Sequence, residues 1–344
     1  MSVVAITCVK NEGPFLIEWI AHNRVLGVTD FLIYSNDCTD GTDHLLDQLA
    51  KHGILRHLPN PAKHRRYQVE ALRHAYTQKV VRSADWTFVA DVDEFLNIHV
   101  GNGTIPDLIE ACGNPKAISV CWQFMANSGI ERFEETPVTR QFLETHSSTL
   151  WKLEAAIEVK SLIRKDFPYL WVGAHRPFVK PELGSDQVGR WTDGSGRDIP
   201  DWFKMATDKR PMRALYGRGA RKLATLNHYA LRSMDSYLVK QSRGDVNRED
   251  RPFDATYWQD RNDPARRDTS ILRYADRLDG EMNRLLLLEG VREAHHACVA
   301  AHRTEIAALR AGDGAALLAD IKAAPTLSVA EAALLKRFSA LGAN

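Results

Sequence analysis

The stretch Asp85-Trp86-Thr87-Phe88-Val89-Ala90-Asp91-Val92-Asp93-Glu94-Phe95-Leu96 decides the fold, because it is an apolar strand that carries two carboxylates to its C-terminal end. A buried strand rich in Phe and Val cannot hold an unpaired carboxylate cheaply, since desolvating a lone charge costs several kcal/mol or forces its protonation. Asp91 and Asp93 therefore need a compensating cation, either a basic side chain or a metal. Mg²⁺ and Mn²⁺ suit this position, because these ions bind through one or two carboxylates together with substrate phosphates.

Length and composition indicate a globular protein without a dominant charge. The chain has 344 residues, of which 44% are hydrophobic, and its 45 basic residues nearly cancel its 44 acidic ones. This balance gives no overall field that would recruit nucleic acid. The five cysteines, an odd number, indicate free thiols in a reducing compartment. Because the chain has neither a signal-peptide pattern nor an apolar run of roughly 20 residues, we expect a cytoplasmic protein, in solution or at the surface of the inner membrane.

Apolar strands alternate with amphipathic helices through the first part of the chain. Strands are predicted over residues 3–9, 31–34, 54–58, 86–90 and 118–125. Strands that are apolar throughout are typical of an α/β fold with a parallel sheet covered by helices on both faces. Ligands of such sheets lie at the carboxyl ends of the strands. Asn11, Asp37 and Asp91 each follow a strand, so we expect them at one edge of the sheet.

The pattern becomes weaker after residue 125. Strands are predicted over residues 159–164 and 223–230, and a helix is predicted from Ser233 through Lys240. Residues 181–201 are rich in Gly, Asp and Pro, which is typical of a long mobile loop such as an active-site lid. From about Asp263 the chain is predicted to be helical to its end.

Three motifs, in this order, resemble the bacterial glycosyltransferases of family 2, which have the GT-A fold. They are Cys8-Val9-Lys10-Asn11-Glu12, Asn36-Asp37-Cys38-Thr39-Asp40-Gly41-Thr42 and Asp91-Val92-Asp93-Glu94-Phe95. Further similarity to a DxD-containing subgroup lies in Cys121-Trp122-Gln123-Phe124, in residues 160–164 with His175, and in Asn227-His228-Tyr229 through Lys240 and Gly244. The acidic pair that follows the second strand in that family is Asn36-Asp37 here, which departs from the family pattern.

The resemblance implies a Rossmann-like GT-A domain over residues 1–245 and a C-terminal helical extension over residues 246–344. Residues 1–125 would form the nucleotide-sugar half of the domain and residues 126–245 the acceptor half. The implied cofactor is Mn²⁺ or Mg²⁺, and the implied donor is a nucleoside diphosphate sugar, with a uridine diphosphate sugar expected. The sugar would pass to a hydroxyl of a glycan or lipid-linked acceptor in surface glycan or polysaccharide synthesis. The C-terminal helices would pack beside the acceptor site or mediate assembly into a homo-oligomer.

The resemblance also implies roles for individual residues. The residues against the nucleotide would be Asn11, Glu12, Asn36, Asp37 and Gln68. Asp91 would face the ribose or the metal, and Asp93 would hold the metal. A later histidine would complete the metal coordination, either His228, with Lys240 on the diphosphate, or His175.

The catalytic base is not determined by the sequence. We assign Asp93 and Glu94 to the catalytic centre, where Glu94 serves as a base, supports the metal ligands or caps a helix. Glu158, Asp186 and Asp235 are the other candidate bases.

Two basic or metal-binding patterns have simpler explanations. Residues 63–66, Lys-His-Arg-Arg, either attract the diphosphate or form a solvated loop. His295, Cys298 and His302 have the helical spacing that a transition-metal site would need. Because the neighbouring sequence supplies no fourth ligand, we expect these three residues on a helix surface.

Two other functions share part of this pattern. A sugar nucleotidyltransferase would use the same sheet and carboxylates, but it needs a Gly-rich basic loop after the first strand, and Lys10-Asn11-Glu12-Gly13-Pro14 does not supply one. A non-catalytic carbohydrate-binding module with the same fold would have no need of Asp91, Asp93 and His228. A metal-dependent glycosyltransferase is therefore the favoured function.

Overall fold

The computed structural model describes residues 1–63, 66–147, 157–206, 215, 220–244, 253–323, 331 and 334. The strands in this part of the chain are β1 (Val3–Val9), β2 (Asp30–Ser35), β3 (Arg56–Pro59), β4 (Trp86–Val89), β5 (Glu94–Ile98), β6 (Ala117–Phe124), β7 (Glu144–Thr145), β8 (Val159–Arg164), β9 (Tyr169–Val172), β10 (Pro177–Val179), β11 (Trp191–Asp193), β12 (Ala224–His228) and β13 (Arg266–Arg267). The helices are α1 (Gly13–Val25), α2 (Thr42–Lys51), α3 (Tyr67–Ala75), α4 (Lys79–Ser83), α5 (Ile105–Ala111), α6 (Val138–Gln141), α7 (Asp201–Lys204), α8 (Met234–Arg243), α9 (Ala255–Arg261), α10 (Ala275–Leu286), α11 (Val291–Ala311) and α12 (Gly314–Ala323).

A nine-stranded sheet forms the centre of the described fold, in the order β3-β2-β1-β4-β8-β6-β12-β5, with β11 also paired to β6. The pairs β1–β2, β1–β4, β2–β3, β6–β11 and β6–β12 are parallel. Strand β8 runs antiparallel to β4 and β6, and β5 runs antiparallel to β12. The sheet is therefore mixed and mostly parallel, which confirms the predicted α/β class, although the sheet is not parallel throughout.

The antiparallel strands determine which residues reach the functional edge of the sheet. Strands β1, β2, β4, β6 and β12 all end at this edge, whereas β5 and β8 begin there. The first residue of β5, Glu94, pairs with His228 at the end of β12, and His228 pairs in turn with Phe124 at the end of β6. Lys160, near the start of β8, pairs with Val120. Residues at the ends of the parallel strands therefore lie next to residues at the starts of β5 and β8.

Helix α1 joins this edge to the core. It begins at Gly13 with Pro14 in its first turn. Proline is favourable there because the first N–H groups of a helix have no acceptor within the helix. Leu16, Trp19 and Ile20 are fully buried against the sheet, as their helical spacing predicts. The indole Nε1 of Trp19 donates a hydrogen bond of 3.1 Å to the backbone oxygen of Glu94. The helix therefore fixes the start of β5.

The C-terminal helices pack on this core. Helix α10 contacts α1, and α11 contacts α1, α2 and α8. A Cβ atom added to Gly13 would overlap the side chain of Cys298, so α11 lies very close to the start of α1. The predicted C-terminal helical region is confirmed for the described residues. No helix in the described ranges is both long enough and apolar enough to cross a membrane.

Three sequence predictions about local structure are wrong. Residues 181–201 are not a lid loop throughout, because β11 lies within them and its Trp191 is fully buried. Val69, Leu72, Tyr76 and Val80 recur at steps of three and four residues, which predicts one helix, but this segment forms two helices, α3 and α4. Cys298 and His302 are 0% and 4% exposed and do not form a helix surface, since that face of α11 packs against α1 and α8.

Candidate functional site

Asp93 lies at the centre of the candidate site, where His228 and Lys240 contact it. Its Oδ2 atom accepts a hydrogen bond of 3.0 Å from Nζ of Lys240 on α8, and its Oδ1 atom lies 3.5 Å from Nε2 of His228. The side chain is only 12% exposed. Burial alone would raise the pKa of this carboxyl, but the charges of Lys240 and the contact with His228 outweigh burial and hold the pKa well below its ordinary value. Asp93 is therefore a buried carboxylate that remains ionised at neutral pH.

His228 is a buried imidazole beside this carboxylate. Burial lowers its pKa below the ordinary value, against the opposing charge of Asp93, so the ring favours its neutral form. Its ring lies 4.7 Å from that of Trp122 and 5.2 Å from that of Phe124, and its Nδ1 atom is buried without a hydrogen-bond partner among the described residues. A neutral imidazole can offer a lone pair to a metal.

Asp91 and Glu94 are held together by a buried lysine. Nζ of Lys160 lies 3.1 Å from Oδ2 of Asp91 and 3.2 Å from Oε2 of Glu94. The backbone N–H of Asp91 donates to Oε2 of Glu94 at 2.9 Å, and Gln68 donates to Oδ1 of Asp91 at 3.2 Å. The side chains of Lys160 and Glu94 are both 0% exposed, whereas that of Asp91 is 35% exposed. Lys160 thus supplies the compensating cation on this side of the site.

The Glu94 carboxyl is shielded from solvent. Trp122 donates from its indole Nε1 to Oε1 of Glu94 at 2.8 Å. Burial raises the pKa of Glu94, partly against the charge of Lys160. Because its side chain is fully covered by these contacts, Glu94 holds neighbouring groups in place.

His175, the alternative metal ligand, lies to one side of this centre. Its Nδ1 atom is 3.0 Å from the backbone oxygen of Val159 and 3.9 Å from Oε2 of Glu158, and its ring is 5.4 Å from that of Trp122. The structure therefore places His228, and not His175, against Asp93.

Glu12 lies in a buried ion-pair cluster. Its Oε2 atom is 2.9 Å from Nη1 of Arg232, and its Oε1 atom is 2.5 Å from Nη2 of Arg243. Burial would raise the pKa of Glu12, but the two arginines lower it below the ordinary value. Arg243 also donates to the backbone oxygens of Lys10 and Asn11. Glu12 therefore fixes the loop after β1 through these arginines.

The loops after β1 and β2 have strained backbones where they face each other. Asn11 and Asp37 have φ angles of +52° and +43°, in the left-handed region that non-glycine residues rarely occupy. The side chain of Asn11 accepts from the backbone N–H of Thr39 at 2.7 Å and donates to the Thr39 hydroxyl at 3.0 Å. Asn36 is buried, and its Oδ1 has no hydrogen-bond partner among the described residues. Such strain is common at binding sites.

A cavity of about 360 Å³ opens beside these two loops. Asn11 and Asp37 line one of its sides, and Arg243 of α8 lies in its wall. Its volume is in the range of roughly 300–1,000 Å³ that is typical of small-molecule sites.

The remaining candidate bases lie in different surroundings. Glu158 lies beside His175 and is 19% exposed. Asp235 is buried, where its carboxylate accepts from the backbone of Phe133 and from Arg310. Asp186 is exposed in a short 3₁₀ helix. Within the basic segment, His64 and Arg65 lie outside the described residues.

The sequence did not single out several residues that organise this site. Lys160 occurs in the predicted strand over residues 159–164, but pairing it with Asp91 requires the antiparallel register of β8. Arg232 lies just before α8 and Arg243 is its last residue, and both contact Glu12 across more than 200 residues of sequence. The sequence did contain one signal for these arginines. Glu12 lies in a loop directly after a buried strand, and a buried acidic residue requires a basic partner.

The side chains of Asp93 and His228 fit a divalent metal ion that would take its remaining ligands from a bound diphosphate. Carboxylate oxygen suits Mg²⁺ and Mn²⁺, and the neutral imidazole of His228 would supply a second ligand beside Oδ1 of Asp93. The described residues contain no group of three His, Cys, Asp or Glu side chains placed to hold a metal. The remaining ligands would therefore be phosphate oxygens and water, which is how Mg²⁺ usually binds at phosphate sites.

Curated relatives match part of this chain. A Glycosyltransferase family 92 protein of Oryza sativa subsp. japonica is 29% identical over 110 residues, which are 31% of this chain and 18% of the rice protein. Another family 92 protein, from Ricinus communis, is 30% identical over 100 residues, which are 28% of this chain and 17% of that protein. The matched region is thus less than a fifth of the length of either relative.

Solved structures overlap with this chain only loosely. TarS 1–349 of S. aureus in complex with UDP covers 48% of this chain and 48% of its own, with a TM-score of 0.32 and 9% identity. HddC from Yersinia pseudotuberculosis covers 55% of this chain and 88% of its own, with a TM-score of 0.31 and 10% identity. The family assignment therefore rests on the sequence.

The family model of Glycosyltransferase family 92 matches residues 4–182, which is more than half of the chain. This range contains the loops of Asn11 and Asp37, the Asp91-Val92-Asp93 motif and Lys160, and it ends before His228. The resemblance to family 2 thus indicated a glycosyltransferase family correctly, but the family that matches is 92. The chain belongs to glycosyltransferase family 92.

Proposed function

We propose that this protein transfers a sugar from a nucleoside diphosphate donor, a uridine diphosphate sugar, to an acceptor hydroxyl, and that Mn²⁺ or Mg²⁺ binds together with the diphosphate. The observation that carries the proposal is the set of contacts around Asp93, with His228 at one carboxylate oxygen and Lys240 at the other. These groups lie at the edge where the parallel strands end, which is where α/β sheets bind ligands. Membership of a glycosyltransferase family supports the reaction class.

The charges around Asp93 suit the departure of a nucleoside diphosphate. Negative charge develops on the diphosphate as the bond to the sugar breaks, and a bound divalent ion would stabilise that charge. The ammonium group of Lys240 lies 3.0 Å from Oδ2 of Asp93, and the Lys240 side chain is 14% exposed, which supports it as a contact of a phosphate oxygen. Asp93 stays ionised because its pKa is held low, and it keeps its oxygen available as a ligand.

The acceptor half of the proposed site lies around Trp122. The burial of Glu94 supports a role in holding Asp91 and Trp122, and does not favour contact with an acceptor. Glu158 is partly exposed beside His175, which supports it as the base that accepts the proton of the acceptor hydroxyl. The proposed acceptor is a glycan or lipid-linked acceptor in surface glycan or polysaccharide synthesis.

The proposed domain division follows the sequence, with a catalytic domain over residues 1–245 and a helical region over residues 246–344. All five cysteines are free thiols, which supports the proposed location in the cytoplasm, a reducing compartment.

Calorimetry with UDP tests this proposal. We expect UDP to bind the full chain in the presence of Mn²⁺, and Asp93→Asn to weaken that binding by at least about tenfold, because the variant loses a charged ligand. Asp276→Asn, at an exposed position in the first turn of α10, is the matched control and should bind normally. Absence of UDP binding with and without Mn²⁺ would refute the uridine donor, and unchanged binding by Asp93→Asn would refute the role of this carboxylate.

A further inference from the structure

The cavity beside Asn11 and Asp37 has a second wall that comes from outside the sheet. Ser242 of α8 and Ala301, His302 and Glu305 of α11 line it. Helix α11 belongs to the C-terminal helical region, which the sequence predicts to pack beside the acceptor site or to mediate assembly. The structure brings α11 against the loops after β1 and β2.

We propose that α11 forms one wall of the nucleoside pocket of the donor site and that Glu305 accepts a hydrogen bond from the nucleoside. This inference rests on the proposed function, because it assigns the nucleoside half of the same donor. It makes the C-terminal helical region a part of the substrate site.

Glu305 has an oxygen available for a ligand. Its Oε1 atom accepts a hydrogen bond of 3.1 Å from the hydroxyl of Ser242, which holds the carboxylate in place between α8 and α11. Within the described ranges, no Lys, Arg or His side chain forms an ion pair with Glu305. The carboxylate is exposed at the cavity, so its other oxygen can accept a hydrogen bond from a bound molecule.

The polarity of the cavity suits a nucleoside better than a phosphate. Its lining holds three carboxylates, Asp37, Asp40 and Glu305, against the ammonium group of Lys10 and the guanidinium of Arg243, whose charge Glu12 already compensates. Carboxylates repel phosphate, but they accept hydrogen bonds from ribose hydroxyls and from the N–H groups of a base. The phosphates would instead lie toward Lys240, one helical turn before Arg243 on α8.

The two walls are joined rigidly, so the cavity is formed before a ligand arrives. Arg243 donates to the backbone oxygens of Lys10 and Asn11, which ties α8 to the loop after β1. Cys298 of α11 packs so closely on Gly13 that no side chain fits between them. A preformed pocket needs little ordering when a ligand binds, which favours affinity.

Calorimetry with two probes tests the inference on the full chain. The probes are UDP and inorganic pyrophosphate, each with Mn²⁺, and the variants are Glu305→Gln, which weakens the acceptor, and Ala301→Trp, which fills the cavity. We expect each variant to weaken UDP binding by about tenfold or more and to leave pyrophosphate binding within about twofold, because only the nucleoside reaches α11. Glu293→Gln, an exposed position on the same helix outside the cavity, should bind both probes normally.

The outcomes separate this inference from the proposed function. If Glu305→Gln and Ala301→Trp bind UDP as the unmodified chain does, while Asp93→Asn loses it, the donor site stands and the α11 wall is refuted. If the unmodified chain binds none of UDP, GDP, CDP and ADP, the proposed function and the inference fall together. Equal losses of UDP and pyrophosphate would also overturn the inference. Circular dichroism checks folding, and if Ala301→Trp does not fold, Glu305→Gln alone decides.

Discussion

Nζ of Lys160 lies 3.2 Å from Oε2 of Glu94, and both side chains are completely buried. The same ammonium group is 3.1 Å from Oδ2 of Asp91, so one buried cation holds two carboxylates at the edge of the sheet. A sequence with Asp91 and Asp93 one residue apart predicts a compensating cation, and here two different lysines compensate the two carboxylates. Lys160 holds Asp91, and Lys240 holds Asp93.

Replacing Lys160 by Met should destabilise the protein strongly. The variant leaves Asp91 and Glu94 without their shared cation, and breaking one side of a buried ion pair costs up to about 3–5 kcal/mol. Burial already raises the pKa of Glu94, so this carboxyl limits the cost by taking up a proton. Adding Glu94→Gln should recover part of the loss, because it removes the carboxylate that was left behind. Urea unfolding measures the stability of the unmodified protein, of Lys160→Met and of the double variant. Lys165→Met, which breaks the exposed contact of Lys165 with Asp85, should leave the midpoint unchanged, and an equally small effect of Lys160→Met would contradict the buried pair.

Replacing Glu12 by Gln should destabilise the protein in a way that depends on pH. The variant leaves Arg232 and Arg243, both only 9% exposed, without their counter-charge, which should cost about 3–5 kcal/mol near neutral pH. The two arginines hold the folded-state pKa of Glu12 below its ordinary value of 4.5. The stabilisation by Glu12 is therefore present above that value and is lost as pH falls through the lower, folded-state pKa.

The difference in unfolding free energy between the unmodified protein and Glu12→Gln should accordingly be large near neutral pH and shrink under acid conditions. Urea unfolding at several pH values measures it. Glu70→Gln, which breaks an exposed pair with Arg73, is the control and should show no such trend. A difference that stays constant from neutral to acid pH would show that the arginines do not depend on this carboxylate.

Mn²⁺ should bind tightly only when a nucleoside diphosphate is present. The described residues offer Asp93 and His228 as ligands, while Lys240 repels a free cation at the same carboxylate. A diphosphate supplies further oxygen ligands and compensates the lysine charge. We expect UDP to increase the affinity for Mn²⁺ by at least about tenfold, a typical coupling between two ligands. Electron paramagnetic resonance of Mn²⁺, with and without UDP, measures this, and tight binding without nucleotide would require further protein ligands.

The main features of the site were predictable because strand ends of a parallel sheet converge. Asn11, Asp37 and Asp91 follow apolar strands, and the structure places all three at one edge of the sheet. The contact of His228 and Lys240 with Asp93 also agrees with the family resemblance. The placement of Asn11, Asp37 and Asp91 depends only on strand order and direction, which apolar patterning indicates, whereas the contacts of His228 and Lys240 were implied by the resemblance.

The remaining contacts depend on register across long sequence separations. Lys160 is 69 residues from Asp91, and Arg243 is 231 residues from Glu12. Strand β5 has no separate signal in the sequence, because Glu94 follows Asp91 and Asp93 like part of an acidic loop, whereas it starts an antiparallel strand opposite His228. No local pattern encodes such pairings, since a one-residue change in register would present different side chains at the edge.

His228 and His175 provide the sharpest comparison between alternative metal ligands. His228 Nε2 lies 3.5 Å from Oδ1 of Asp93, whereas His175 lies beside Glu158 and Trp122. If His228 is a ligand, His228→Ala should lower Mn²⁺ affinity in the presence of UDP by about 100-fold or more, since even an outer partner of a metal ligand is worth about 10–100-fold. His175→Ala should change that affinity by less than about tenfold and act mainly on kcat, because His175 lies toward the acceptor half.

Both substitutions remove one imidazole, so each is the control for the other, and the measurements are Mn²⁺ binding with UDP and sugar transfer with each variant. The opposite order of effects on Mn²⁺ affinity would assign the metal to His175 and would require the segment around that residue to move toward Asp93 when the donor binds.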